Sequence, residues 1–516
     1  MPVEARQLVA QIDPVTASHG PSHRGRVILK WGFLVLLVAG AFVVRVWGLS
    51  KMHFWDENVY LQNAEVICCG KNNYNEIDSR PPLLSILFAG TFLLWHSDYA
   101  AWIVVALVNA LGPAFLYLGG RKMVGAIPAA IASLLLAFTP FSVGVLRDPS
   151  GEFVLDFSGH SLLSDCPALT LILLSFWLLL RALQQQTNLR FALAGFGLAM
   201  AVLMRFDSLS SVGVLLLLLL AANRPARAAL ACGAGFAAGL GPYLCWERFR
   251  YGGFLAIFFR GWHNFSGFRE STFYFVARSV AILSWVTLLG LGLWAGRVTL
   301  EIWREKQEGP KLISSENFPG RPSRTWEAFL CLWAVALLFF FSALSHKEPR
   351  YAIPLLPPLF LLAGIGLSTL LASRRMVPRV AGMALLAGAL GFSIWPIRQR
   401  FDSDFIDDSV SEEMEVSDFL NHSVSPSTVL YTNMNYPDFA YYTNLRVVAL
   451  PENSEGLHKS LKNLPSDGIL IAYGQNDPDA PAEEPDPRWL NSNPHYRRLK
   501  EFPSIVLYEY HVQIPR

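Results

Sequence analysis

The sequence from Ile28 to Gly48 reads ILKWGFLVLLVAGAFVVRVWG, an apolar run long enough to cross the roughly 30 Å hydrocarbon core of a bilayer as a helix. The run is longer than the apolar region of a cleaved signal peptide, and no small-residue cleavage site follows it. We therefore predict that it stays in the protein as the first membrane span. Residues 1–27 are mostly polar and predict a disordered cytoplasmic tail.

Ten more apolar runs of about membrane length follow, in keeping with a composition that is 53% hydrophobic and only 16% charged. They lie near residues 98–118, 124–144, 164–182, 190–206, 208–222, 228–247, 272–295, 326–345, 351–371 and 379–396. With the N-terminus inside, the short loops rich in Lys and Arg fall on the inner side, as the positive-inside rule expects. A shorter run at 81–95 then fits a helix in the outer interface.

This pattern predicts a polytopic α-helical membrane protein with about 11 spans over residues 28–396 and a first outer loop at 49–97. An odd number of spans places residues 397–516 outside, where the composition changes and predicts a small α/β domain. Its β-like pieces are 428–431, 446–449, 469–472 and 505–510, its helical stretches are 411–421 and 455–464, and a Pro/Asp/Glu-rich loop covers 477–487. Because this domain shows no phosphate loop and no catalytic triad spacing, a structural or acceptor-binding role is expected.

Overall charge and cysteine content exclude some classes of function. The 42 Lys and Arg residues nearly balance the 40 Asp and Glu residues, so no excess charge indicates a nucleic-acid partner. The six cysteines show neither metal-ligand spacing nor a secreted disulfide framework. Cys68 and Cys69 are adjacent, and we expect this to be incidental because short-range geometry strains a bond between neighbours.

Ionisable residues collect at the predicted outer ends of the spans, where such groups are costly and usually functional. Taken singly, each has an ordinary structural explanation as a helix cap, a loop residue at the interface or an ion pair. Their joint occurrence on one face favours a site. They are Asp56, Glu57, Arg80, Asp148, Glu152, Asp156, Asp165, Arg205, His346, Lys347, Glu348 and Arg350, with Asp207 as an ion-pair partner for Arg205.

Both signs of charge on one face suit the transfer of a sugar from a polyprenyl phosphate. That reaction needs a base for the acceptor and cationic groups for the departing phosphate. A carboxylate of the first outer loop is the candidate base, and Arg80, Arg205 or Arg350 can make bidentate phosphate contacts. The acidic loop containing Asp148 could instead hold a divalent cation, so a metal is a possible cofactor that the sequence does not assign.

Four segments resemble the GT-C fold glycosyltransferases. The first loop, with an acidic pair, a tyrosine and then a basic residue before two prolines, looks like that of the protein O-mannosyltransferase and aminoarabinose transferase group, although that group usually has lysine at the basic position. The remaining segments resemble a second acidic site, an Arg/Tyr segment leading into a Pro-rich helix, and the His-Lys-Glu-x-Arg-aromatic motif of lipid-linked-mannose transferases. These segments are Trp55–Glu57 with Tyr60 and Ser79–Leu83, then Ser164–Leu169, Arg350–Pro357 and His346–Tyr351.

The resemblance implies an integral membrane glycosyltransferase that uses a polyprenyl-phosphate sugar and inverts the anomeric carbon. The short cytosolic loops and the absence of a retrieval motif favour a bacterial inner membrane, with the outer loops in the periplasm, over an endoplasmic reticulum, where those loops would face the lumen. It implies Asp56 as catalytic base with Glu57 in support. Donor-phosphate contacts would come from Arg80, Arg205, His346, Lys347, Arg350 and Tyr351, with Asp165, Asp148 and Glu348 as supporting residues. The sugar stays open, and so does the acceptor, which could be a protein, a glycan or a lipid.

Two other classes of function remain as alternatives. A transporter or lipid flippase also has many spans and charges within the membrane, but related halves with matching broken helices are not visible here. A membrane anchor for a working outer domain would leave Asp56, Glu57 and Arg350 without a role.

Overall fold

The computed structural model describes residues 23–47, 55–74, 80–147, 153–155, 162–221, 226–259, 271–308, 324–373, 376–404, 412–451, 454–473 and 487–512. Helices dominate these ranges. In chain order they are α1 His23–Val46, α2 Trp55–Cys69, α3 Leu83–Leu94, α4 Asp98–Met123, α5 Ala126–Phe138, α6 Pro140–Val143, α7 Asp165–Gln185, α8 Asn188–Met204, α9 Leu209–Ala221, α10 Ala226–Tyr251, α11 Tyr274–Ala277, α12 Ser279–Glu308, α13 Arg324–Ala343, α14 Leu356–Leu371, α15 Met376–Asp404, α16 Glu412–Ser423, α17 Tyr436–Tyr442, α18 Ser454–Lys462 and α19 Pro487–Ser492.

Strands and short 3₁₀ segments complete the described structure. A two-stranded antiparallel pair lies between α6 and α7, and a five-stranded sheet lies near the C-terminus. The strands are β1 Val145–Arg147, β2 Phe153–Leu155, β3 Val429–Thr432, β4 Arg446–Ala449, β5 Gly468–Tyr473, β6 Tyr496–Glu501 and β7 Ile505–Tyr510, and the 3₁₀ segments are Phe206–Ser208 and Pro349–Leu355.

Every predicted span coincides with a helix. Seven helical segments in the described ranges are long and apolar enough to cross a membrane, and they are α1, α4, α7, α10, α12, α13 and the stretch Pro349–Leu371. The other four predicted spans coincide with α5, α8, α9 and α15, in which the apolar stretch is shorter: Ala126–Phe138, Asn188–Met204, Phe206–Leu216 and Met376–Gly388. A helix satisfies its own backbone hydrogen bonds, which a segment in hydrocarbon requires. The predicted polytopic helical fold is confirmed.

By its internal contacts, the chain forms two compact units. The helical unit contains Met1–Gly48, Pro81–Leu83 and Trp102–Phe405, and the α/β unit contains Leu49–Arg80, Leu84–Ala101 and Ile406–Arg516. Most of the predicted loop at 49–97 therefore belongs to the same unit as the C-terminal residues.

Glycines allow close helix packing within the helical unit. A Cβ atom at Gly195 of α8 would lie 1.9 Å from the carbonyl oxygen of Cys232 in α10, and a Cβ at Gly235 of α10 would lie 1.9 Å from that of Ala192. Small residues at such crossings let backbones approach where lipid offers no hydrophobic driving force. The two glycines therefore fix the contact between α8 and α10.

We expect Gly235→Ala to destabilise the protein by about 1–3 kcal/mol, because the new methyl group forces two backbones apart. Gly233→Ala is the matched control, since a Cβ atom two residues earlier in the same helix would meet nothing within 4 Å. Thermal unfolding of the two purified variants in the same detergent measures the difference. Equal unfolding temperatures would contradict the close approach.

The sheet of the α/β unit has the strand order β4-β3-β5-β7-β6. Strand β3 pairs in parallel with β4 and β5, while β7 pairs in antiparallel with β5 and β6. Alternate side chains fill opposite faces, so Ile469 and Ile471 pack with α16 and α17, whereas Leu470 and Ala472 pack with α18 and α19. The four predicted strands and two predicted helices are present, and the predicted loop at 477–487 falls almost wholly outside the described residues.

The segment after α2 extends this sheet at its β4 edge. Tyr74 forms an isolated parallel bridge with Val447, whose N–H donates to the carbonyl of Asn73 at 2.7 Å. The Asn73 amide donates in turn to the carbonyls of Ala440 at 2.8 Å and Thr443 at 3.0 Å. The segment thus supplies a partner for an edge that would otherwise present unpaired backbone groups.

Cys68 and Cys69 form a disulfide bond, so the expectation that their adjacency is incidental was wrong. Their Cα atoms are 3.8 Å apart, the spacing of any two neighbours across a trans peptide. The pair lies at the end of α2, directly before Gly70 with a φ of 72°. Because the helix stops there, the bond between neighbours does not disrupt a helical hydrogen-bond ladder in mid-helix.

Candidate functional site

Asp56 and Arg80 form an ion pair within the α/β unit. Asp56 lies in the first turn of α2, and the Arg80 Nη2 donates to its Oδ1 at 2.5 Å. Their side chains are 19% and 26% exposed, so the pair is shielded but open to a ligand. Asp56 therefore does more than cap its helix, because it holds a cation 24 residues away in the chain.

Aromatic rings surround this pair. The Arg80 guanidinium lies over the Trp55 ring at 5.4 Å, and Tyr436 meets the same ring edge-on at 5.7 Å. Tyr74 stacks on Tyr436 at 5.5 Å. In the sequence, Trp55 stands out only as part of the first-loop motif. Nothing there marks Tyr74 or Tyr436, because no sequence signal joins residue 436 to this loop.

Polar residues on the buried face of α2 fasten it within the α/β unit. The Asn58 amide donates to Asp438 at 2.5 Å, and the Gln62 amide donates to Asn73 at 2.8 Å. Glu57 is fully buried at 0% exposure, in contrast to its neighbour Asp56. Of the predicted acidic pair, Asp56 is therefore the carboxylate that a substrate can reach.

A second charged cluster lies in the helical unit around Arg205. Its Nη1 is 2.8 Å from Asp165 and its Nε donates to Asp207 at 2.7 Å. The guanidinium also lies over the Tyr351 ring at 5.1 Å. Asp165 is only 2% exposed, whereas Arg205 is 18% exposed. The structure thus brings together Asp165, Arg205 and Tyr351, which the sequence pattern placed at different span ends.

Helix boundaries position these charges. Asp165 is the first residue of α7, and Arg205 follows α8 with extended backbone (φ −158°, ψ 122°) before the 3₁₀ turn Phe206–Ser208. Ending α8 at this point places the arginine at a junction between two apolar helices. The predicted spans either side of Arg205 are accordingly separate helices.

The segment from His346 to Tyr351 completes the cluster. The His346 imidazole and Glu348 lie 2.8 Å apart, and Arg350 forms an ion pair with Glu348. Arg350 also acts electrostatically on Asp165. Lys347 is buried and donates to the carbonyl of Leu344.

This cluster is suited to an anionic ligand. Asp165 pairs with the Arg205 fork at Nη1, and Asp207 accepts a hydrogen bond from its Nε, so two carboxylates hold the guanidinium. A guanidinium fixed in this way can donate to a phosphate without first being ordered. The acidic residues Asp148, Glu152 and Asp156 lie outside the described residues, so the divalent cation predicted for their loop stays a prediction.

Lys71 is a titratable group of the α/β unit. Its Nζ donates to the Tyr441 carbonyl at 2.5 Å, and burial lowers the pKa of Lys71 to about 8, partly opposed by the charges of Glu65 and Asp98. Burial also raises the pKa of Tyr441, whose hydroxyl donates to Asp98. Lys71 therefore titrates in the mildly alkaline range while Tyr441 stays protonated.

Comparison with solved structures identifies the fold. The chain is similar to ArnT from Cupriavidus metallidurans bound to undecaprenyl phosphate, with a TM-score of 0.62 and 14% identity over 96% of this chain and 100% of that one. It is also similar to the oligosaccharyltransferase AglB from Archaeoglobus fulgidus in complex with an inhibitory peptide and a dolichol-phosphate, with a TM-score of 0.51 and 14% identity over 86% of this chain and 69% of that one.

No protein-family profile and no curated protein matches the chain. The structural likeness shows that this integral membrane protein has the GT-C fold, as the sequence motifs predicted.

Proposed function

We propose that the protein is an integral membrane glycosyltransferase that moves a sugar from a polyprenyl phosphate to an acceptor. The observation that carries the proposal is the buried charge cluster around Arg205 in a chain with the GT-C fold. ArnT was solved with undecaprenyl phosphate and AglB with a dolichol-phosphate, which supports a lipid-linked donor for this chain as well.

Asp56 is the proposed base. As the acceptor oxygen attacks the anomeric carbon of the donor, its proton passes to the Asp56 carboxylate, and the bond from the anomeric carbon to the phosphate oxygen breaks. Displacement from the opposite side inverts the anomeric carbon. Arg80 holds Asp56 in place through the 2.5 Å contact. Buried Glu57 has a supporting part, in shaping the start of α2.

Arg205 and Arg350 are the proposed contacts for the departing phosphate, which gains negative charge as the bond breaks. Fixed donors that meet developing charge stabilise a transition state without reorganisation. Asp165, Asp207 and Glu348 hold the two guanidinium groups in position. We assign His346, Lys347 and Tyr351 to the surroundings of the phosphate. The proposed location is a bacterial inner membrane with the reaction on its outer face.

The test is transfer from a panel of radiolabelled polyprenyl-phosphate sugars by the purified full-length protein, with candidate protein, glycan and lipid acceptors and with chelator in half of the samples. Label that moves to an acceptor identifies the sugar, and the chelator samples decide whether a metal is required. If a well-folded sample transfers nothing but moves labelled lipid across vesicles, the flippase alternative replaces this proposal.

We expect Arg350→Ala to lower kcat/KM for the donor by about 10- to 100-fold, because a hydrogen bond to a charged group contributes roughly 1.5–3 kcal/mol. Because the phosphate gains charge as the bond breaks, the loss should appear in kcat as well as in KM. Arg304→Ala, at an exposed arginine of α12, is the matched control and should leave kcat/KM unchanged. Equal kinetics for both variants would remove Arg350 from the site.

A further inference from the structure

A second group of reactive side chains lies at the other end of α2. Glu65, Cys68 and Cys69 each offer a ligand atom within 4.8 Å of the others. His96, between α3 and α4, places its Nδ1 4.0 Å from the Cys69 sulfur and its Nε2 2.7 Å from Glu65. The proposed transfer mechanism uses none of these four residues.

The hydrogen bond between His96 and Glu65 selects the tautomer of the imidazole. When Nε2 is the donor to the Glu65 Oε1, it carries the proton of the neutral ring. Nδ1 is then the nitrogen with the free lone pair, and it faces the sulfur of Cys69. A carboxylate behind a histidine is the usual arrangement that orients this ring toward a bound metal.

The distances suit a tetrahedral site. A zinc ion with Zn–S near 2.3 Å and Zn–N near 2.0–2.1 Å holds a sulfur and a nitrogen about 3.6 Å apart. The Cys69 sulfur and His96 Nδ1 are 4.0 Å apart, so this pair needs a shift of only a few tenths of an ångström. The two sulfurs, bonded to each other in the disulfide, must separate to about 3.8 Å once the bond is reduced. Cys69 is exposed and Cys68 half-buried, which leaves the group open to metal and to reductant.

We propose that Cys68, Cys69, His96 and Glu65 form a redox-gated site for a thiophilic divalent cation such as Zn²⁺. A dithiol reductant supplies two electrons and two protons to the disulfide and becomes a disulfide itself. Each cysteine thiol then loses its proton as its sulfur binds the metal. In the disulfide form the sulfurs lack the negative charge that binds a metal. The metal thus binds the reduced protein and not the oxidised one.

The test is cobalt binding to the full-length protein in detergent, since Co²⁺ takes the place of Zn²⁺ and gives a thiolate-to-metal absorption band in the near ultraviolet. We expect the chain reduced with a phosphine to bind one Co²⁺ with this band, and Zn²⁺ to abolish the band. The oxidised chain should show neither. A reduced chain without the band overturns the proposal.

Variants locate the site. Cys68→Ser and Cys69→Ser should each weaken the band and the affinity, and His96→Ala should lower the affinity at least about 10-fold while leaving the disulfide intact. The control is Cys245→Ser, at an exposed free cysteine of α10, which should bind Co²⁺ as the parent chain does. If Cys245→Ser removes the band, or His96→Ala keeps full affinity, the assignment is wrong. Because no sugar transfer is measured, failure here is separate from failure of the proposed function.

Discussion

Asp56→Asn should lower the rate of sugar transfer by about 10²- to 10⁴-fold, the usual contribution of a positioned general base. Asparagine has the shape of aspartate and still accepts a hydrogen bond from Arg80, so α2 keeps its start and the protein should fold. The loss should appear in kcat, measured with saturating donor and acceptor. It should not be recovered by raising the donor concentration.

Glu415→Gln is the matched control for this substitution. Glu415 also lies in the first turn of a helix, α16, but is exposed, so the same loss of charge should leave transfer unchanged. Size-exclusion profiles and unfolding temperatures of both variants should match the parent protein. Near-normal turnover by Asp56→Asn would show that the base lies elsewhere, even with the GT-C fold correct.

Arg205→Ala should remove donor use and also destabilise the helical unit. It leaves the buried carboxylate of Asp165 and that of Asp207 without their cation, and removing one partner of a buried pair costs about 3–5 kcal/mol. Thermal unfolding in detergent should show a clear drop, and Arg205→Lys should recover part of the stability but less of the activity, since lysine lacks the planar fork.

A double variant separates the structural part from the functional part. Asp165→Asn combined with Arg205→Met removes both charges of the 2.8 Å pair, and it should unfold at a higher temperature than Arg205→Ala. It should nevertheless stay inactive, because the Arg205 guanidinium proposed to contact the phosphate is gone and Arg350 alone does not replace it. A stable double variant with normal transfer would mean that Arg205 serves only to neutralise Asp165.

The sequence predicted the helical unit well because its signal is local. Each span is an apolar run whose length is set by the bilayer, and the ionisable residues Asp165, Arg205 and Arg350 stand out against that background. All three lie at span ends on the same predicted side of the membrane, and this was the one reason to expect them close together. The contacts of Asp165 and Arg205 at 2.8 Å agree with it.

The α/β unit was harder to predict because its decisive contacts are not local. Strand β6, with the sequence YRRLKE, is an edge strand whose side chains after Tyr496 are exposed, so it lacks the apolar alternation that marks β3 and β5. Helix α17 has only 7 residues, too few to show the apolar periodicity by which a helix is predicted from sequence. The docking of Asn73 beside Val447 joins distant parts of the chain, and no single-sequence pattern reports such a pairing.

The hydrogen bonds of Asn73 also set an order of events during biosynthesis. Their acceptors, the carbonyls of Ala440 and Thr443, leave the ribosome 367 and 370 residues after Asn73 itself. At about 5–20 residues per second, that delay is roughly 20–70 s. Helix α2, with Asp56 at its start, therefore lacks these hydrogen bonds while the later spans are synthesised, and the proposed base reaches its final surroundings only near the end of translation.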